Sequence, residues 1–285
     1  MNESPRHPKF VPAACDAMTR MAHLGVSVHP QLLWDRAYLP GASLLWLSPD
    51  TTRLMVALAA TVPLDLRQVE MPLGWETGLA VFGSPVDGAD ADSDAPIRFN
   101  ALAWGRARIP IPPQMDTAAL TVSSWKWHDE SLWVPLGRSD WLTREQLGEV
   151  TAEHAVFAGR AGSEAFVASV IDDRRLLVAL RALINDRSLT RVEPLPQSPA
   201  AARKHRRSGA AAPRTVNVVN LHPTPTGAAH PHRSGTFRHR WYVRPHMRWQ
   251  ACGPNRTQRR LVIVRGHIKG PDGAEFASSR TVHRL

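Results

Sequence analysis

Two histidines and a set of permanent cations recur in one short phrase. The chain reads Val243-Arg244-Pro245-His246-Met247-Arg248 and then, 21 residues later, Val264-Arg265-Gly266-His267-Ile268-Lys269. The shared pattern is Val-Arg-x-His-apolar-cation. On a strand, alternate side chains share a face, so Arg244, His246 and Arg248 would line one face and Arg265, His267 and Lys269 one face of a second strand. Folded back as a hairpin, the two copies would set two imidazoles among fixed positive charges. Such a surface suits a phosphate backbone.

It also has the parts of a metal-independent ribonuclease. His246 and His267 would be acid and base, since an unperturbed imidazole titrates near neutrality. Arg244, Arg265 and Lys269 would stabilise the charge that develops at phosphorus. The bland alternative is a pair of histidines hydrogen-bonded within a sheet.

The elements that must position these residues are read from alternation. Over 238–249 the even positions are Arg238, Arg240, Tyr242, Arg244, His246 and Arg248, and the odd ones include Trp241, Val243, Met247 and Trp249. One face is cationic and one largely apolar, the pattern of an antiparallel strand with one side on a core. Both tryptophans are expected to bury, and Tyr242 is placed to stack on a base. Pro245 has no N–H to give, which marks an edge or a bulge. The second copy begins Leu261-Val262-Ile263-Val264, apolar on both faces, and reads as a buried central strand. Arg256, Arg259 and Arg260 make the connection between the copies basic. These three, with Arg238, Arg240, Tyr242 and Arg248, are the candidate nucleic-acid contacts.

Charge divides the chain. Residues 201–285 hold 17 Lys+Arg and 2 Asp+Glu, while residues 1–200 hold 18 and 23. A mildly acidic body joined to a basic end points to a polyanionic partner, RNA or DNA. The expected fold class is α+β. An acidic N-terminal α+β domain with antiparallel strands spans 1–191, a Pro/Ala-rich basic linker 192–214, and a small basic β-rich domain 215–285. The N-terminal domain has a protein partner, or restraint of the basic face by its own acids, as its candidate roles.

Within the body, 13–24 predicts a helix stopped by Gly25 and 42–47 a strand. Ser48-Pro49-Asp50 then opens a helix with a cap, a proline at the first position and an acid in the first turn. Strands are expected at 78–82, 97–104 and 120–127, with a weaker one at 131–136. Asp87, Asp90, Asp92 and Asp94 resemble a calcium loop in composition only; without a closing Glu they read as a solvated hairpin loop. Thr143-Arg144-Glu145-Gln146 reads as a capping box. A helix over 164–186 is expected to pack on the N-terminal sheet.

No cofactor is expected, and no metal. His222, His230, His232 and His239 lack supporting cysteine or carboxylate spacing. Cys15 and Cys252 form no C-x-x-C pair or disulfide framework, which favours a reduced, cytoplasmic compartment. No apolar run approaches a membrane span, and the N-terminal residues do not read as a signal peptide.

One resemblance is visible. His239-Arg240-Trp241-x-Val243-Arg244-x-His246, Cys252-Gly253-Pro254-x-Arg256-x-Gln258-Arg259-Arg260 and His267-Ile268-Lys269-Gly270-Pro271 resemble an uncharacterised family of high-GC Gram-positive bacteria, their phages and integrative elements. The similarity covers about 236–283, and more loosely 74–127. It implies a mobile-element setting and no particular reaction. This chain departs from that family in carrying Pro245 where a glycine is usual. The leading expectation is a nucleic-acid-binding protein that uses a cationic C-terminal sheet face; the alternative is a toxin-like endoribonuclease with a two-histidine site.

Overall fold

Ser48 marks the first junction of the fold. Its hydroxyl accepts the Thr51 N–H at 3.3 Å, Pro49 sits at the start of the helix and Asp50 in its first turn. Each satisfies or complements the unpaired N–H groups of a helix N-terminus. The helix is α2, Pro49–Ala59, and it follows strand β1, Ser43–Leu47. The computed structural model describes residues 7–25, 35, 38–62, 77–89, 96–111, 114–128, 132–141, 164–200, 203, 207, 215–222, 239–271 and 274–276. The capping box at 143–146 lies outside them, as do Asp90, Asp92, Asp94, His230, His232 and Arg238.

The chain divides into two compact units, residues 1–222 and 223–285. The first is built on a seven-stranded mixed sheet in the order β5-β4-β3-β2-β1-β7-β6. Its strands are β1, β2 (Thr77–Ala89), β3 (Pro96–Ile111), β4 (Gln114–Trp127), β5 (Trp133–Trp141), β6 (Thr190–Leu195) and β7 (Val216–Leu221). β1 runs parallel to both neighbours, with Leu45 opposite Ala80 on one side and Asn217 on the other. The remaining pairs are antiparallel. Arg98 on β3 holds Asp87 across the β2–β3 pair at 2.8 Å, so that acid serves an exposed ion pair in the hairpin.

Alternation along β1 explains the layers. Leu44 and Trp46 join the cluster formed with α1 (Val11–Gly25) through Val11, Cys15 and Met18. Leu45 and Leu47, fully buried, face the other way. Covering that side are α2, with Met55 and Leu58 buried, and α3 (Glu164–Asn185), with Leu176 to Leu180 and Leu183 buried. α2 and α3 pack on each other, α2 against β1, β2 and β7, and α3 against β2, β4, β5 and β6. The unit is thus α+β, a mixed sheet between helical layers. Burying Leu44, Leu45 and Leu47 contributes roughly 1.5–3 kcal/mol per side chain as an upper bound.

The sequence placed 215–221 in the basic domain. The structure puts β7 inside the large sheet, between β1 and β6, and closes the first unit at His222. The local pattern of Val216-Asn217-Val218-Val219 identifies a strand; which sheet it enters depends on the open edge of β1, 172 positions back in register, which needs hydrogen-bond partners. Thr51 helps to fix the choice, donating its hydroxyl to the Val219 carbonyl at 3.0 Å. The expected linker likewise begins inside β6. The shift moves five cations, Arg203, Lys204, Arg206, Arg207 and Arg214, into the first unit, whose 23 Lys+Arg and 23 Asp+Glu then cancel. Residues 223–285 keep 12 against 2, the whole net charge of +10.

A buried polar knot lies under α1. The Tyr38 and Ser123 hydroxyls both donate to the Asp35 carboxylate, Ser123 at 2.7 Å, and the Trp125 indole N–H donates to Ser123 Oγ at 3.0 Å. A buried carboxylate is tolerable only with such donors. The Tyr38 ring lies against Gly105, where a Cβ would come within 2.3 Å of it, and the Trp104 ring covers Gly78, where a Cβ would meet it at 2.1 Å.

Two outcomes are expected. Gly78→Ala lowers unfolding free energy by about 1–3 kcal/mol through overpacking, whereas Gly41→Ala, with nothing within 4 Å of a new Cβ, stays within about 0.5 kcal/mol; urea titration reads both. Burial first, then the Asp35 charge, hold the Tyr38 phenol well above its usual pKa. A folded pKa raised above the unfolded one gives stability that is fully present below about pH 10 and is lost as pH rises from there. Urea midpoints should therefore fall above about pH 10, and Tyr38→Phe should flatten that limb.

Candidate nucleic-acid interface

In the second unit, the long strand expected over 238–249 is two strands, β8 (Trp241–Val243) and β9 (His246–Cys252). The return is also two, β10 (Gln258–Val264) and β11 (His267–Lys269). β9 pairs antiparallel with β10 through seven residue pairs, and β8 with β11 through three. The last pair of one ladder is His246 with Val264, and the first of the other is Val243 with His267. Both strands advance three residues between those pairs, so the offset is unchanged. The two ladders are one β-ribbon with a pause at Arg244-Pro245 and Arg265-Gly266. Pro245, lacking a donor, accounts for the break on its side.

The doubled phrase therefore meets itself across the ribbon: the valine of each copy lies opposite the histidine of the other. The copies also share a local bond. His246 Nδ1 lies 3.0 Å from the Arg244 carbonyl, and His267 Nδ1 lies 2.9 Å from the Arg265 carbonyl. A carbonyl only accepts, so each Nδ1 carries a proton. The two histidines stand three pair steps apart, about 10 Å along the strands at 3.3 Å per residue. Neither imidazole is opposite the other.

The cations are distributed along this ribbon. On the β9–β10 ladder, Arg248 and His246 share a face, opposite Val262 and Val264, and Arg260 lies on that face opposite Gln250. Arg259 lies on the other face, opposite Ala251. On the β8–β11 ladder His267 and Lys269 share a face, and the Lys269 ammonium stands 5.7 Å from the ring centre of Trp241, its partner in register. That cation–π contact is the kind that holds an exposed pair of strands together. Arg244 and Arg265 fall in the pause, where both are exposed. Tyr242 is 59% exposed, with its hydroxyl over Gly266, where a Cβ would come within 2.2 Å of it. The glycine leaves room for the phenol to cross the ribbon.

Arg240 is engaged differently from the cationic face expected of it. Its N–H donates to the Glu275 carbonyl at 2.8 Å, and its guanidinium lies 5.2 Å from the Phe276 ring centre. It is half-buried and ties the start of the ribbon to residues 275–276. Linear alternation carried no sign of this, because the contact comes from a segment beyond the second copy.

The bend of the ribbon is Gly253-Pro254-Asn255-Arg256-Thr257. Gly253, Asn255 and Arg256 have φ of 74°, 52° and 57°. A left-handed conformation is free for glycine, tolerable for asparagine and costly for arginine. Arg256 is exposed at this bend, three positions before Arg259.

Two expectations about burial are corrected. Leu261–Val264 is not a buried central strand: β10 has β9 as its hydrogen-bonded neighbour and its apolar residues are half-buried. Trp241 and Trp249 are also half-buried, while Met247 is 5% exposed. A two-stranded ribbon gives an apolar side chain only one flanking strand, whereas the four-residue apolar run resembles a strand covered on both faces.

Among the described residues no cluster of three His, Cys, Asp or Glu is placed to hold a metal, Cys15 and Cys252 are in no disulfide, and no helix is long and apolar enough to cross a membrane. No family model, curated protein or solved structure matches the chain.

Replacing Arg256 by Gly removes the left-handed penalty and one tip charge together. Melting of Arg256→Gly should stay within about 1 kcal/mol of the parent, the relief being offset by the looser unfolded chain, while elution from a heparin column moves to lower salt.

Proposed function

We propose that this protein binds nucleic acid through the cationic ribbon of residues 241–269. The observation that carries the reading is charge segregation onto one hairpin: the entire net charge lies in 223–285, and Arg244, Arg248, Arg256, Arg259, Arg260, Arg265 and Lys269 are all exposed there. Seven exposed cations on one hairpin raise the local positive potential that attracts a polyanion. The six guanidinium groups among them stay charged and donate bidentately to phosphate oxygens. Tyr242 adds an exposed ring for stacking. The resemblance over 236–283 supports a phage or integrative-element setting for this activity.

Binding is preferred to cleavage on the geometry of the histidines. Metal-independent cleavage needs two imidazoles about one phosphate, whereas His246 and His267 are three pair steps apart and each is tied through Nδ1 to its own strand. Each Nε2 can donate to a phosphate only when it too carries a proton, and then as a single contact. A role for the large unit in contacting a protein partner belongs to the same proposal.

Fluorescence anisotropy with labelled duplex DNA and RNA, in EDTA, tests the reading. The expected result is binding whose log K falls steeply with log salt, flattening by about 0.9 for each duplex DNA contact removed. Arg244→Glu with Arg265→Glu should weaken binding by about tenfold or more at low salt. Unchanged affinity in that double variant overturns the proposal. RNA cleavage in EDTA that His246→Ala or His267→Ala abolishes, with binding kept, would replace it with the ribonuclease.

A further inference from the structure

The ribbon has two unlike faces. On the seven-pair β9–β10 ladder, Arg248 and Gln250 of β9 share a face with Gln258 and Arg260 of β10, and all four are exposed. Gln250 and Arg260 are direct cross-strand partners, and Arg248 is a diagonal neighbour of Arg260. The opposite face holds Met247, 5% exposed, with Trp249, Leu261 and Ile263 half-buried. The apolar face is the covered one, and the polar face is left for a ligand. The Gln258 carboxamide lies over Gly253 at the bend, where a Cβ would come within 2.9 Å of it. No Asp or Glu occurs in 241–269, so no side chain of the ribbon itself repels a phosphate.

Phosphate contacts alone would call only for cations. The two carboxamides add a donor and an acceptor side by side, the pattern that pairs with the N6 and N7 edge of adenine. A guanidinium pairs in the same way with O6 and N7 of guanine. Both edges face the major groove of B-form DNA, about 12 Å wide, which admits a two-stranded β-ribbon. The seven-pair ladder spans about 20 Å at 3.3 Å per residue, the length of about six base pairs. Alternate residues on one face stand about 7 Å apart, about two base-pair steps. Duplex RNA offers no such entry, since its major groove is deep and narrow. Single strands are gripped by aromatic platforms, and the polar face of this ladder carries no Phe, Tyr or Trp.

We infer that the β9–β10 ladder enters the major groove of duplex DNA with its polar face inward and reads sequence there. Arg248 and Arg260 meet guanine, and Gln250 and Gln258 meet adenine. Arg256 at the bend, and Arg244 and Arg265 at the pause, hold flanking phosphates at the two ends of the ladder and set its position. The inference rests on the nucleic-acid reading above and sharpens it to sequence-specific recognition of duplex DNA.

Binding-site selection with the full chain, from a pool of random-sequence duplexes, tests it, with anisotropy on the selected site. A site of about six base pairs containing guanine and adenine should emerge. It should bind about a hundredfold or more tightly than random duplex, or than the same sequence as duplex RNA or single strand. Gln250→Ala, at an exposed position, should relax the preference at one adenine about tenfold with the melting temperature kept. Arg244→Glu with Arg265→Glu should weaken binding to selected and random duplexes alike. Methylation of the site by dimethyl sulfate should interfere at guanine N7, in the major groove, and not at adenine N3, in the minor groove. Duplex binding that enriches no sequence, tighter binding to RNA or single strands, or interference at adenine N3 alone overturns the inference and leaves the nucleic-acid reading in place. Absence of binding to any duplex or single strand overturns both.

Discussion

β1 is five residues long, hydrogen-bonded to a parallel strand on each side and covered on both faces, and the large unit is assembled around it. Parallel neighbours cannot be reached by tight turns. The chain must therefore leave β1 through α2 before returning as β2, and must travel through three more strands and α3 before β6 and β7 close the other side. Leu44 and Trp46 call for α1, and Leu45 and Leu47 call for α2 and α3. Ser48 and Thr51 then link the N-terminus of α2 to the Val219 carbonyl of β7, so helix entry and sheet closure depend on one another.

The second unit follows a different economy. It has one described hairpin, little fully buried apolar surface and twelve cations against two acids. A lone two-stranded ribbon is marginal in water. This one is reinforced by contacts that use the same side chains a polyanion would meet: Lys269 over Trp241, Arg240 over Phe276 and the two Nδ1 bonds of the histidines. Charge is therefore spread along an exposed scaffold rather than gathered in a pocket, a layout suited to tracking a backbone.

Much of the large unit was legible locally. The cap at Ser48, the stop of α1 at Gly25, the apolar stripe of α3 and the aromatic and β-branched runs of β3 and β4 each depend on residues a few positions apart, and the elements appear close to where those patterns place them. The Asp87 loop read as a hairpin connection because its acids lacked the spacing of a calcium site, and Asp87 does pair with Arg98 across β2 and β3. Less was legible in the ribbon. Leu261–Val264 has the composition of a covered strand and stands in a two-stranded ladder, because composition reports what a strand tolerates and not how many neighbours it has.

By itself the sequence determined the elements, their caps, the concentration of positive charge at one end and the doubled Val-Arg-x-His phrase, all of which follow from short-range sterics, hydrogen bonding and charge. The tertiary structure decided which sheet β7 entered, where the two units part, and that the phrase pairs with itself around a pause, with its histidines three steps apart. Those outcomes rest on pair register and open strand edges. Such choices are made between residues as distant as Thr51 and Val219, 168 positions apart, where no periodicity along the chain carries the information.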